Sequence, residues 1–133
     1  MDFRIRETVR LYDTDAQGVM HYASYYRLFT DAIDEFRKKV LPGYSLTSAS
    51  VSFVTVESHA EYLKPAMLGD ALYVNLSPKL ISRKALRFDI SVYKGATLIC
   101  KGHTVQLAID ASRWKSVEIP SEIISKMGLQ KRH

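Results

Sequence analysis

The stretch from about Tyr22 to Val40 constrains the fold more than any other part of the chain. Tyr22, Tyr25, Tyr26, Phe29, Ala32, Ile33, Phe36 and Val40 recur at the spacing of one helical face. Arg27, Asp31, Asp34, Glu35, Lys38 and Lys39 carry much of the polar remainder. Leu41-Pro42-Gly43 ends the pattern, because proline disfavours helical geometry in the residue before it and glycine accepts a left-handed turn. Five of the eight apolar positions are aromatic. Such a face needs a broad surface to bury it, and the concave face of a sheet is the simplest one.

The flanking sequence supplies that sheet. Phe3, Ile5, Val9 and Leu11 interleave with charge, which predicts a first strand from about Phe3 to Tyr12, with Glu7-Thr8 as the place for a bulge. After the polar stretch Ser45–Ser50, a β-rich run extends from Val51 through His59 and Tyr62 to a break at Lys64-Pro65. Leu72 to Ile81 alternates around Val74 and Leu76, with Pro78 marking an edge or a bulge. Leu86, Phe88, Ile90 and Val92 alternate cleanly with polar partners, Gly95-Ala96 makes a turn, and Thr97 to Ile109 returns as the hairpin partner. A short terminal helix follows. The whole, residues 1–133, reads as one α+β domain: a curved antiparallel sheet of about five strands wrapped round one long helix.

Composition narrows the function classes. No apolar run approaches the roughly 20 residues of a membrane span. The start, Met1-Asp2-Phe3-Arg4-Ile5-Arg6, lacks the apolar block of a signal peptide. The single cysteine, Cys100, lies in a strand-like run and reads as a buried structural thiol; it fits a reducing compartment, and the cytoplasm is the expectation. The net charge of +5, from 19 Lys+Arg against 14 Asp+Glu, favours an anionic partner. The basic residues are scattered rather than striped, so a nucleic-acid module is not expected. His21, His59, His103 and His133 lack metal-ligand spacing, and no metal or redox cofactor is implied. There is no Gly-x-Ser-x-Gly elbow, Walker sequence or dinucleotide fingerprint.

Chemistry concentrates between the first strand and the helix, in Tyr12-Asp13-Thr14-Asp15-Ala16-Gln17-Gly18-Val19-Met20-His21-Tyr22. Two carboxylates and a glycine make a good turn. They also make a good active-site loop, because it feeds a helix N-terminus whose free N–H groups stabilise developing negative charge. Its part from Tyr12 to Val19, followed by Ala23-Ser24-Tyr25-Tyr26, resembles the signature of the 4-hydroxybenzoyl-CoA thioesterase family of hot-dog proteins. A second block, Ala60-Glu61-Tyr62-Leu63-Lys64-Pro65-Ala66-Met67-Leu68-Gly69-Asp70, matches in register.

The resemblance implies an acyl-CoA thioester hydrolase of hot-dog fold, with CoA entering only as part of the substrate. It implies that Asp15 is the catalytic carboxylate and that the backbone N–H near Tyr22 polarises the thioester carbonyl. Gly18 lets the chain approach the substrate, His21 stands beside Tyr22 where relatives often carry histidine one place later, and Asp13 fixes the loop. Arg83, Lys84 and Arg87 are the expected contacts to the CoA phosphates, with Lys64 and the Lys131-Arg132 tail as competitors. A homodimer or homotetramer is expected, since one sheet round one helix leaves open edges. The rival readings are the same fold acting on acyl carrier protein and a non-catalytic acyl-CoA binding module.

Overall fold

The computed structural model of the chain describes residues 2–41 and 51–130. The helix stop at Pro42-Gly43, the polar stretch Ser45–Ser50 and the Lys131-Arg132 tail lie outside the described residues. Helix α1 is Ser24–Val40, flanked by strands β1 (Phe3–Thr8) and β2 (Ser52–Tyr62). Strands β3 (Ala71–Leu80), β4 (Ala85–Lys94), β5 (Thr97–Asp110) and the short β6 (Lys115–Ser116) follow, and α2 (Ser121–Lys126) comes last. The sheet is antiparallel in the order β1-β3-β4-β5-β2, with β6 added against β5. The α+β architecture expected from the pattern is therefore present, with one small strand more.

The helical stripe works as a core face. Tyr25, Leu28, Phe29, Ala32, Ile33 and Phe36 are buried. They meet Leu72, Val74 and Leu76 of β3 and Leu86, Phe88, Ile90 and Val92 of β4, all within one buried cluster. Phe36 packs edge-on to Phe88 at 6.2 Å between ring centres and against Phe3 at 5.6 Å. Each fully buried ring of this kind stabilises by about 1.5–3 kcal/mol. Tyr22 departs from the expectation: it precedes the first helical turn and is 70% exposed. Apolar periodicity placed it on the core stripe, but its backbone belongs to the loop. Leu28, unremarked in the periodicity, fills the stripe instead.

The first strand also ends early. Pairing of β1 with β3 stops at Thr8↔Ala71, and Leu11–Asp13 form a 3-10 turn. Val9 is buried while Leu11 and Tyr12 are exposed, so alternation beyond Thr8 belongs to a turn rather than to a longer strand. Pro78 sits beyond the last β1 partner, Phe3↔Leu76, where among the described residues β3 pairs with β4 alone. The missing N–H of proline costs nothing on that open flank. At Gly102, where β5 passes β2, an added Cβ would overlap the His59 carbonyl oxygen and press on the Phe29 ring. Glycine there lets the two strands close over the helix.

Candidate active site

The Asp15 loop is a small closed hairpin standing between β1 and α1. Its root is tied by the His21 N–H donating to the Asp13 carbonyl at 2.9 Å. Thr14 and Met20 bridge next, and the Asp15 N–H donates to the Val19 carbonyl at 2.9 Å. Gly18, at φ +76°, turns the tip in the left-handed region that glycine enters without strain. Asp15 itself is exposed. Its Oδ1 accepts from the Gln17 N–H at 2.9 Å and the Val19 N–H at 3.3 Å. One oxygen is thereby held by the loop, and among the described residues Oδ2 has no hydrogen-bond donor. That oxygen is open to an incoming group.

The two sequence blocks meet in space. The Met20 N–H donates to the Ala66 carbonyl at 2.8 Å, the Leu68 N–H to the Gly18 carbonyl at 3.0 Å, and Val19 bridges Met67. Asp70 caps this second loop by accepting from the Met67 N–H at 2.8 Å and pairing with Lys94 at 2.9 Å. Those contacts, the Met67 N–H first, hold its carboxyl below the usual range. The second block thus buttresses the loop that carries Asp15.

Asp13 has a different environment from Asp15. It is 1% exposed, and Arg27 grips it with Nε on Oδ1 at 2.9 Å and Nη2 on Oδ2 at 2.7 Å. The Arg10 N–H adds a bond to Oδ2 at 2.9 Å. Burial pushes this carboxyl up, but the Arg27 bonds, the Arg10 N–H, the Arg27 charge and Ser24 together hold it below its ordinary value. Asp13 is therefore an anchor, as expected, and its partner Arg27 is the residue the sequence did not reveal. Arg27 also reaches Asp31 at 2.8 Å and Glu7 at 3.5 Å.

The approach to α1 ends in exposed backbone. Helix α1 has no side-chain cap. The first turn is closed by Ser24 N–H to His21 O at 3.1 Å and Tyr25 N–H to Tyr22 O at 3.4 Å. Among the described residues the Tyr22 and Ala23 N–H groups find no acceptor, so they remain available to an oxygen. Beside them Met20, Tyr22, Tyr25, Tyr62, Leu63, Lys64 and Pro65 line a recess of about 370 Å³. Tyr25 and Tyr62 meet edge to face at 5.2 Å, and burial pushes the Tyr25 phenol up to about 12. His21 lies half-buried with its Nε2 3.1 Å from the Ser24 hydroxyl.

The expected phosphate contacts lie elsewhere in the chain. Arg83 and Lys84 sit in the turn joining β3 to β4, at the end of β3 opposite the Asp15 loop. Arg83 is 3.5 Å from Glu118 and Lys84 3.3 Å from the Ser116 hydroxyl. Arg87 points to the sheet face away from α1, donates to Asp89 at 2.8 Å, and lines a larger recess of about 800 Å³. That recess shares no residue with the Asp15 loop. Among the described residues, Lys64 is the one of these candidates that stands beside Tyr22. Cys100 is fully buried, and burial with the nearby Glu61 charge pushes its thiol up to about 12, which suits a structural role. Among the described residues no group of three or more His, Cys, Asp and Glu side chains could hold a metal ion. None of their helices is long and apolar enough to cross a membrane.

A family model for the thioesterase-like superfamily matches residues 9–127, which includes the loop, α1 and every major strand but β1. The chain belongs to the thioesterase-like superfamily. This is broader than the 4-hydroxybenzoyl-CoA thioesterases its two blocks resemble. A 1,4-dihydroxy-2-naphthoyl-CoA hydrolase of Nostoc punctiforme is 29% identical over 134 residues, 99% of this chain and 90% of that one. The acyl-CoA thioester hydrolase YbgC of Escherichia coli is 28% identical over 125 residues, 91% of this chain and 93% of that one. The structure of a Staphylococcus aureus protein in complex with CoA superposes with a TM-score of 0.86 at 24% identity, covering 96% of this chain and 82% of that one. The hot-dog thioesterase fold follows for this member of the superfamily.

Proposed function

We propose that this thioesterase-like protein hydrolyses an acyl-CoA thioester to a carboxylic acid and free CoA. The observation that carries the reading is the Asp15 carboxylate, held through one oxygen by the loop's own amides and, among the described residues, unbonded at the other. The relatives named for CoA thioesters support the substrate class. Asp13-Thr14-Asp15 and the second block favour a place close to 4-hydroxybenzoyl-CoA thioesterases within the superfamily. The thioester carbonyl rests against the Tyr22 and Ala23 N–H groups, which stabilise its negative charge as it becomes tetrahedral. Asp15 either attacks that carbon, forming an anhydride that water then opens to release the acid, or takes a proton from water that attacks the carbon directly. The C–S bond breaks, CoA leaves as the thiolate, and solvent protonates it.

The protein works as a cytoplasmic homodimer or homotetramer. Strand β2 is the terminal strand of the sheet, and its outer half, from Val56 to Tyr62, is largely exposed. An open edge of this length favours pairing with the same edge of a second copy. Tyr62, at the end of that edge, also lines the recess at the helix N-terminus, which supports a site beside the joint.

Asp15→Asn tests the function. It preserves volume and one acceptor but removes the charge, so kcat should fall about 10²- to 10⁴-fold while KM changes much less. A folded Asp15→Asn protein with wild-type kcat would remove the catalytic assignment. Single-turnover hydrolysis in ¹⁸O-water divides the two mechanisms: direct water attack labels the product, and an Asp15 anhydride opened at the aspartyl carbon labels the enzyme.

A further inference from the structure

We infer that Arg27, acting through Asp13, is the positioning residue that holds the Asp15 loop in its working geometry; this rests on Asp15 being the catalytic carboxylate. Arg27 projects from the start of α1, and Asp13 closes the 3-10 turn before the loop. Asp13 is where three parts of the chain converge. Its side chain takes both prongs of Arg27 and the Arg10 N–H, and its carbonyl takes the His21 N–H that shuts the hairpin. Asp15 is two residues further along the same hairpin arm, about 7 Å at an extended rise. Beyond this root the hairpin closes through the Asp15 N–H to the Val19 carbonyl and the Gly18 N–H to the Asp15 carbonyl, and the second block braces its far arm, so Asp13 is the anchor of the arm that carries Asp15.

The charge arrangement explains why arginine stands there. Asp13 is 1% exposed, and a buried carboxylate without its partner charge must move to water or take up a proton. Glu7 and Asp31 also lean on Arg27, so its loss leaves three carboxylates facing one another. Repulsion would then drive Asp13 outward and carry the hairpin with it. The planar guanidinium bonds both Asp13 oxygens at once and so fixes direction as well as charge. A lysine could supply the charge but not the fork.

The test compares Arg27→Gln, Arg27→Lys, Asp15→Asn and the Arg27→Gln/Asp15→Asn pair, with kcat and KM on one acyl-CoA thioester, melting temperature, and deuterium exchange at the amides of 15–19. Misplacing a reacting group by about 1 Å can cost about 10²-fold. Arg27→Gln should lower kcat about 10- to 100-fold with KM within about 2-fold. The amides of Asp15 and Val19 should lose protection while those in the middle of α1 keep it. Arg27→Lys should recover part of the kcat. In the Asp15→Asn background, Arg27→Gln should lower kcat little further, because the group it positions is already gone. Should Arg27→Gln fail to fold, Arg27→Lys decides: a kcat several-fold below wild type at unchanged KM supports positioning, and wild-type kcat overturns it. A folded Arg27→Gln that keeps kcat while its melting temperature falls shows a structural role alone and overturns the inference. Equal losses with and without Asp15 do the same. Loss of kcat in Asp15→Asn but not in Arg27→Gln sinks this inference alone, whereas an active Asp15→Asn sinks the catalytic reading with it.

Discussion

The Tyr62 hydroxyl donates to the Tyr22 carbonyl oxygen at 3.1 Å, joining the end of β2 to the residue that opens the first turn of α1. The bond links positions 40 apart and fixes the tilt of the peptide plane that carries the Ala23 N–H. Tyr62→Phe keeps the ring and its contact with Tyr25 but frees that plane. An exposed bond of this kind contributes towards the low end of about 0.5–1.5 kcal/mol to stability, because water can replace it. The expected result is a melting temperature close to wild type with kcat lowered several-fold, read by paired calorimetry and steady-state hydrolysis. A wild-type kcat would mean that the Ala23 N–H does not need this support.

The acidic side of the stability profile should divide between Glu7 and Asp13. Asp13 has a folded value held below its ordinary 3.8, so its contribution is present above that value and lost as pH falls through the folded one. Asp13→Asn should therefore destabilise most at neutral pH and least near pH 3. Glu7 runs the other way, because burial, then the hydrogen bond and charge of Asp31, raise it above its ordinary 4.5. Its contribution is fully present below 4.5 and lost as pH rises through the raised value. Glu7→Gln should raise the melting temperature at pH 7, with the gain fading towards pH 4. Scans of both variants across pH 3–8 check the two signs.

Gly102→Ala tests how tightly β2 and β5 close over α1. The added carbon would overlap the His59 carbonyl oxygen, and backbone cannot swing aside as a side chain can. Overpacking of this sort costs about 1–3 kcal/mol. Chemical denaturation should show that loss at an unchanged m-value. An unchanged midpoint would show that the strands can separate there at no cost.

Charge at the mouth of the site should separate Lys64 from the β3–β4 turn. If Lys64 holds a CoA phosphate, Lys64→Ala raises KM more than it lowers kcat, since a remote contact acts equally in ground and transition states. Added salt should reduce the difference from wild type, because Lys64 is exposed. If Arg83, Lys84 or Arg87 raises KM instead, the phosphates reach the far end of β3, which then comes from a second protomer. Sedimentation at micromolar concentration joins the two results, and a fully active monomer would exclude the shared site.

The sequence by itself determined the architecture and the loop. Helical and strand periods are local, so the α1 stripe, the β4 alternation and the Gly95-Ala96 turn could be read from neighbours three or two residues apart. The Asp13-Thr14-Asp15 turn chemistry and the second block were equally legible. What only the tertiary structure decided are relationships between distant positions. Asp13 and Arg27 are 14 residues apart, on a turn and a helix, and no spacing rule pairs them. The sequence therefore showed two similar aspartates, while burial and one guanidinium made Asp13 an anchor and left Asp15 exposed. Apolar periodicity likewise put Tyr22 in the core, but the helix starts two residues later and turns it outward to line the recess at the helix start. Local pattern specifies which elements form; long-range packing decides which charges are desolvated and which remain free to react.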